Sequence, residues 1–237
     1  MTAPYSFAFQ PIVDWDSGTV FAQEALIRGP NAQDSASVLQ RYQGEALLRL
    51  DCEARVRAIE LAARLGGGFT LSLNFIPAAL DVCQDAIETT LAACERVGMP
   101  LSQLILEITE GAVVEDPKGF AARINRYRAQ GIRMAIDDFG AGYAGLNLLA
   151  DFQPDIVKID MGLVRDIDHS GPRQAIARGV IQVCRDLGMD VIVEGVESSA
   201  ELEWFYRRGA RLFQGFLIAK PHFEQLIQPE PPVARVV

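Results

Sequence analysis

Residues 7–28 read Phe7-Ala8-Phe9-Gln10-Pro11-Ile12-Val13-Asp14-Trp15-Asp16-Ser17-Gly18-Thr19-Val20-Phe21-Ala22-Gln23-Glu24-Ala25-Leu26-Ile27-Arg28. Two runs rich in β-branched and aromatic residues, 7–13 and 20–28, flank the turn-forming stretch from Asp14 to Thr19, which is the pattern of two strands and a short connection. A parallel crossover needs about a dozen residues or more. These two strands must therefore run antiparallel. Beyond them, short apolar runs at 69–74, 104–109, 134–138, 156–160, 191–194 and 211–216 are bounded by Gly, Pro and Asp, as buried parallel strands are. Helical stretches at 45–65, 81–97, 117–130, 173–187 and 198–208 lie between them. Eight strands, most alternating with helices, favour a closed barrel over an open doubly wound sheet. The expected fold is α/β, a modified TIM-like (β/α)8 barrel with an antiparallel first strand. One domain is expected over 1–227, with a Pro-rich flexible tail over 228–237.

The chain has 237 residues, 49% hydrophobic and 22% charged, a balance that supports a sizeable core. With 22 Lys plus Arg against 31 Asp plus Glu, the formal charge is −9. Binding to duplex nucleic acid is disfavoured, because it depends on neutralising phosphates with basic side chains. No apolar run reaches the roughly 20 residues of a membrane helix, and MTAPYSFAFQ lacks the features of a secretory signal, so a cytoplasmic location is expected. Cys52, Cys83, Cys94 and Cys184 form no CxxC pair, and His169 and His222 have no metal-ligand spacing, which argues against zinc.

In barrel enzymes the chemistry sits at the C-terminal ends of the strands. Here those ends carry Glu24, Asn74, Glu107, Asp137 with Asp138, Lys158, Glu194 and Gln214. A single acid at a strand end is often no more than a helix cap. Seven strands ending this way imply a shared polar site. Converging carboxylates would repel one another and take up protons unless a cation compensates them. An oxygen-only donor set selects a hard ion, Mg2+ or Mn2+, and the adjacent Asp137 and Asp138 could serve two ions, an arrangement common in phosphoester hydrolysis. Gly140 and Gly142 suit a loop that approaches a ligand backbone-first. Lys158 lies among apolar neighbours, so its ammonium must meet an acid or the ligand; an ion pair with Asp160 or a barrel acid is the structural alternative. Arg28, four residues after Glu24, suits a bidentate phosphate grip or a surface salt bridge equally well.

Glu24-Ala25-Leu26-Ile27-Arg28 resembles the signature of the EAL domains, bacterial cyclic di-GMP phosphodiesterases. The resemblance continues through Phe9-Gln10-Pro11-Ile12, Leu73-Asn74, Leu106-Glu107-Ile108-Thr109-Glu110, Asp137-Asp138-Phe139-Gly140-Ala141-Gly142-Tyr143, Val157-Lys158-Ile159-Asp160, Glu194-Gly195-Val196-Glu197 and Gln214-Gly215-Phe216. It implies a barrel with its first strand reversed, and it implies roles. Glu24, Asn74, Glu107 and Asp137 would hold metal, with Asp137 and Asp138 serving a second ion. Glu194, as general base, and Lys158 would contact the attacking water. Glu110 would hold the loop that carries Asp138, and Glu197 would support the site. Arg28, Gln10, Leu26, Gln214 and Asp160 are the expected substrate contacts. The implied activity is hydrolysis of cyclic di-GMP to linear 5′-pGpG with two Mg2+ or Mn2+ ions, Ca2+ being inhibitory. The alternatives are an effector domain that binds the dinucleotide without turnover and a purely structural barrel. The segment 29–44 is shorter than in most members and lacks their Pro-x-x-Phe-Ile-Pro-like stretch, which puts guanine contacts on that side in question. The stretch 141–161 resembles EAL domains fused to light-sensing modules, which implies a sensory or regulatory domain or partner, and the resemblance to the family implies a homodimer.

Overall fold

The computed structural model describes residues 4–66, 68–83, 85–110, 117–142 and 145–229. Strand β1 (Ser6–Asp14) pairs antiparallel with β2 (Thr19–Arg28), placing Gln10 opposite Glu24. From β2 onward the neighbours are parallel: β3 (Leu71–Asn74), β4 (Leu104–Thr109), β5 (Arg133–Phe139), β6 (Ile156–Ile159), β7 (Asp190–Val193) and β8 (Leu212–Phe213). The sheet closes where β8 meets β1 antiparallel at Val13 and Asp14. It is a closed eight-stranded α/β barrel whose first strand is reversed. A two-residue strand, β9 (His222–Phe223), covers the rest of that edge of β1 through Ala8 and Phe9.

The helices in chain order are α1 (Ser35–Leu39), α2 (Glu45–Arg64), α3 (Ala79–Val82), α4 (Glu88–Val97), α5 (Pro117–Arg128), α6 (Gly145–Phe152), α7 (Met161–Val164), α8 (Gly171–Asp186) and α9 (Ser199–Tyr206). Helix α2 opens on Glu45, closes on Arg64, complementing its dipole, and buries Leu50, Ala58, Ile59, Leu61 and Ala62. Helix α9 starts with a capping box in which Ser198 and Glu201 satisfy each other's backbone N–H groups. The continuous helix expected over 81–97 is instead two, because the chain turns extended at Cys83 (φ −108°, ψ 96°). The last strand is also shorter than the 211–216 expected. A Cβ on Gly215 would meet the Val196 carbonyl oxygen at 2.1 Å, so backbone there packs directly on backbone; Gln214 N still donates to the Val193 carbonyl of β7, while its own carbonyl accepts from Val196 N in the loop. Residues 230–237 of the expected tail lie outside the described residues; before them, Ile227 is tied down by the Gln23 side chain at 2.7 Å.

Side chains alternate between the two faces of a strand, and this alternation builds the interior. Ile12, Ala22, Ile105, Ala135, Ile156, Ile192 and Leu212 form a buried apolar cluster inside the barrel. One period of two residues further toward the mouth stand Gln10, Glu24, Glu107, Asp137, Lys158, Glu194 and Gln214. On β1 the step runs backwards, from Ile12 to Gln10, because that strand is reversed. The apolar layer is the floor of a polar cup. The alternate residues, such as Phe9, Ala25, Leu73, Leu106 and Ile136, point outward into the larger core against the helices.

Candidate active site

Lys158 is fully buried at the centre of the cup. Its Nζ lies 2.7 Å from Glu194 Oε1, 2.9 Å from Glu107 Oε2, 2.9 Å from Asp137 Oδ1 and 3.4 Å from Glu24 Oε2. Burial alone would strip the ammonium of its proton, but Asp137, Glu107, Glu194 and Glu24 outweigh it and hold the charge. Burial pushes Glu107 up to about 8, and repulsion from Glu24 and Asp137 adds to that; Lys158 and the Ser72 hydroxyl oppose it. Glu194 is raised well above the usual carboxylate range, again by burial first. Asp138 is raised by burial and by its neighbours Asp137 and Asp160.

The surrounding residues fix this geometry. Gln214 Nε2 donates to Glu24 Oε2 at 2.7 Å and to Gln10 Oε1 at 3.3 Å, while Gln10 donates to the Ala219 carbonyl at 3.0 Å. Asp138 adopts the left-handed conformation (φ +56°), uncommon for a residue with a side chain. The loop after it is held from below: Glu110 Oε2 accepts from Gly140 N at 2.8 Å and Gly142 N at 3.3 Å, and Glu110 N donates to the Asp137 carbonyl. A Cβ on Gly142 would stand 3.2 Å from the Glu110 carboxylate. Glu197 meets Arg165 at 2.8 Å; Arg165 also pairs with Glu201.

A hollow of about 320 Å³ opens over the cup, lined among others by Leu26, Asp138, Asp160, Met161, Glu197 and Phe216. Asp160 borders this hollow, but its carboxylate caps α7 by accepting from Gly162 N at 2.7 Å. Asn74 stands beside Glu107 in the β3–β4 register at the end of its strand. Arg28 stands at the end of β2. It lines a hollow that it shares with Leu26 and Asn74, and its Nη1 donates to the Ile27 carbonyl at 2.8 Å. Ser72, Arg165 and Glu201 were not among the expected site residues. Ser72 could have been found, since it precedes Asn74 by one strand period; Arg165 sits in a loop and left no periodic signal.

Divalent cations fit this donor set. Glu24, Glu107 and Asp137 offer oxygens within 4.8 Å of one another, as do Asp137, Asp138 and Glu194. Asp137 Oδ1 is buried, and although it faces the Lys158 ammonium it makes no directed hydrogen bond. Five carboxylates around a single buried ammonium leave a local negative excess that a hard cation with oxygen ligands would neutralise.

A reversed-first-strand α/β barrel with carboxylates gathered around a buried lysine at its C-terminal mouth defines a narrow class of protein. Within it, the chain belongs to the EAL domain family, whose model matches residues 5–221. It is similar to a standalone EAL protein from Vibrio cholerae O395 solved in its c-di-GMP-bound form, with 43% identity, a TM-score of 0.91 and coverage of 96% of both chains. Klebsiella pneumoniae BlrP1, solved as a manganese/cyclic di-GMP complex, shares 39% identity at a TM-score of 0.88, covering 94% of this chain and 57% of that one. Among curated relatives, the blue light- and temperature-regulated antirepressor BluF of Escherichia coli is 38% identical over 216 residues, 90% of this chain and 53% of its own length. The cyclic di-GMP phosphodiesterase PA2567 of Pseudomonas aeruginosa is 27% identical over 231 residues, 94% of this chain and 39% of its own length. The chain thus spans about half or less of these two curated relatives. Among the described residues no helix is long and apolar enough to cross a membrane.

Proposed function

We propose that this barrel is a phosphodiesterase that hydrolyses one phosphodiester bond of cyclic di-GMP to linear 5′-pGpG with two Mg2+ or Mn2+ ions. The observation that carries the reading is the gathering of Glu24, Glu107, Asp137, Asp138, Lys158 and Glu194 at one barrel mouth with none of these polar groups lost. Glu24, Asn74, Glu107 and Asp137 would hold one ion, and Asp137 with Asp138 the other. When bound, the ions would neutralise the phosphate and acidify a water. Glu194 is the proton acceptor, since its carboxylate lies at the mouth beside Asp137 and Asp138. Lys158 orients Glu194, Glu107 and Asp137 and contacts the attacking water. Glu110 holds the backbone of the Asp138 loop in shape, and Glu197 braces the opposite wall through Arg165. Gln10, Leu26, Gln214 and Asp160 border the substrate, and Arg28 reaches its phosphate by turning toward the mouth. Ca2+ would bind the same oxygens yet inhibit, because it prefers more ligands at longer distance than Mg2+ and so disturbs the aim of the reacting groups.

The barrel would extend over 1–227 and act in the cytoplasm as a homodimer under a sensory or regulatory domain or partner. A second reading, an effector that binds the dinucleotide without cutting it, draws support from the likeness to an antirepressor. Titration of labelled cyclic di-GMP with and without Mg2+, followed by chromatography of the products, separates the two readings. Metal-dependent pGpG supports the phosphodiesterase; tight binding with intact nucleotide supports the effector.

A further inference from the structure

Helix α2 carries an ion pair, Asp51 with Arg55, on the face that buries Leu50, Ala58 and Ile59. Arg55 is 2% exposed and Asp51 9%. A buried ion pair adds little stability in itself, because desolvation offsets much of the attraction, and apolar replacements are often as stable. The further contacts of the pair point to a different role. Arg55 donates to Thr90 Oγ1 at 3.2 Å and to the Ala86 carbonyl at 3.2 Å, which anchors the guanidinium at the start of α4. From that anchor the pair reaches the loop after β3. Asp51 Oδ2 accepts from Ile76 N at 3.4 Å, and the guanidinium lies over the Phe75 ring, 4.9 Å from its centroid. On the other side, Phe75 N donates to the Glu107 carbonyl at 2.8 Å. Pro77 follows and confines Ile76 to extended backbone. Asn74, the last residue of β3, thus leads into a segment held from β4 on one side and from α2 on the other.

We propose that Asp51 and Arg55 are positioning residues for Asn74: they hold the loop that follows it, so that Asn74 can join Glu24, Glu107 and Asp137 on a divalent cation. This rests on the function proposed above, in which Asn74 is a metal ligand. The test is the Mn2+ affinity of the full chain, measured by calorimetry in a double-mutant cycle with Asn74→Ala. Asp51→Asn keeps the size of the side chain and removes its charge, and should weaken Mn2+ binding by about tenfold when Asn74 is present. In the Asn74→Ala background the same change should cost less than about twofold, because the ligand through which it acts is already gone. An equal loss in both backgrounds would overturn the proposal, and so would parent-like affinity in Asp51→Asn. If Asp51→Asn does not fold, the joint change Asp51→Ala with Arg55→Met replaces the pair by apolar side chains. The Ala86 carbonyl keeps its bond from Thr90 there, and this variant must show the same non-additivity. Hydrogen exchange on the metal-free chain supplies a second readout: the Ile76 amide should exchange at least about tenfold faster in Asp51→Asn. An unchanged Ile76 amide would mean that the pair does not hold the loop. A parent chain that binds no Mn2+ removes the metal-dependent reading and this proposal with it, whereas Mn2+ binding with an additive cycle removes the proposal alone.

Discussion

Lys158 holds together four carboxylates that would otherwise repel one another in a buried space. Removing one partner of a buried ionic cluster leaves charge without compensation, at a cost of about 3–5 kcal/mol. Lys158→Met should therefore destabilise the metal-free protein by about that much, read by urea denaturation in chelator. Added Mn2+ should recover part of the loss, since a cation takes over the neutralisation. A variant as stable as the parent in chelator would mean that the cluster does not need the ammonium's charge. Glu194→Gln keeps the size and most hydrogen bonding of the side chain but removes the proton acceptor. Turnover should fall by at least a hundredfold while cyclic di-GMP affinity stays within about threefold. Near-native rates in that variant would remove Glu194 from the chemistry.

At the scale of elements, the polar cup was legible in the sequence because strand ends are fixed by period. Knowing that Ile105, Ile156 and Ile192 are inside places Glu107, Lys158 and Glu194 inside too, one period on. The reversal of β1 was equally readable, since the connection from Asp14 to Thr19 is too short for any parallel crossover. Side-chain direction beyond a strand end was not legible. Arg28 continues the inward alternation of Glu24 and Leu26, but as the last residue of β2 it is free to fold back over the strand edge. The short helices α1 and α7, of 5 and 4 residues, were missed because they hold a single turn fixed by one capping aspartate each, Asp34 and Asp160, and show no apolar period. The Glu110 brace was expected only through family resemblance; the structure supplies its physics, two backbone N–H groups on one carboxylate oxygen. Glu110→Ala should lower the rate by at least tenfold, and excess metal should not restore it, because the loop that aims Asp138 is released. A structural acid alone would cost about 1 kcal/mol of stability and little activity, so full rescue by metal would dismiss the brace.

On the scale of the whole molecule, the barrel concentrates part of a net charge of −9 at its mouth, which makes metal binding, protonation and stability one linked equilibrium. Glu107, at about 8, and Glu194 bind protons more tightly in the folded, metal-free barrel than in the unfolded chain. The contribution of Glu107 to stability is therefore fully present below the ordinary carboxylate range and is lost as pH rises through about 8, and that of Glu194 is lost in the same direction as pH rises through its own raised value. Metal must displace those protons. Its apparent affinity should accordingly climb with pH up to about 8 and then level, with proton release visible as a buffer-dependent heat of binding. A pH-independent affinity across that window would show that the carboxylates are already ionised without the ion. The most direct measurement is chromatographic turnover of cyclic di-GMP by the purified chain in Mn2+. Conversion to linear pGpG, abolished by chelator and by Glu194→Gln, is the predicted result; cyclic di-GMP bound tightly yet recovered intact would contradict it.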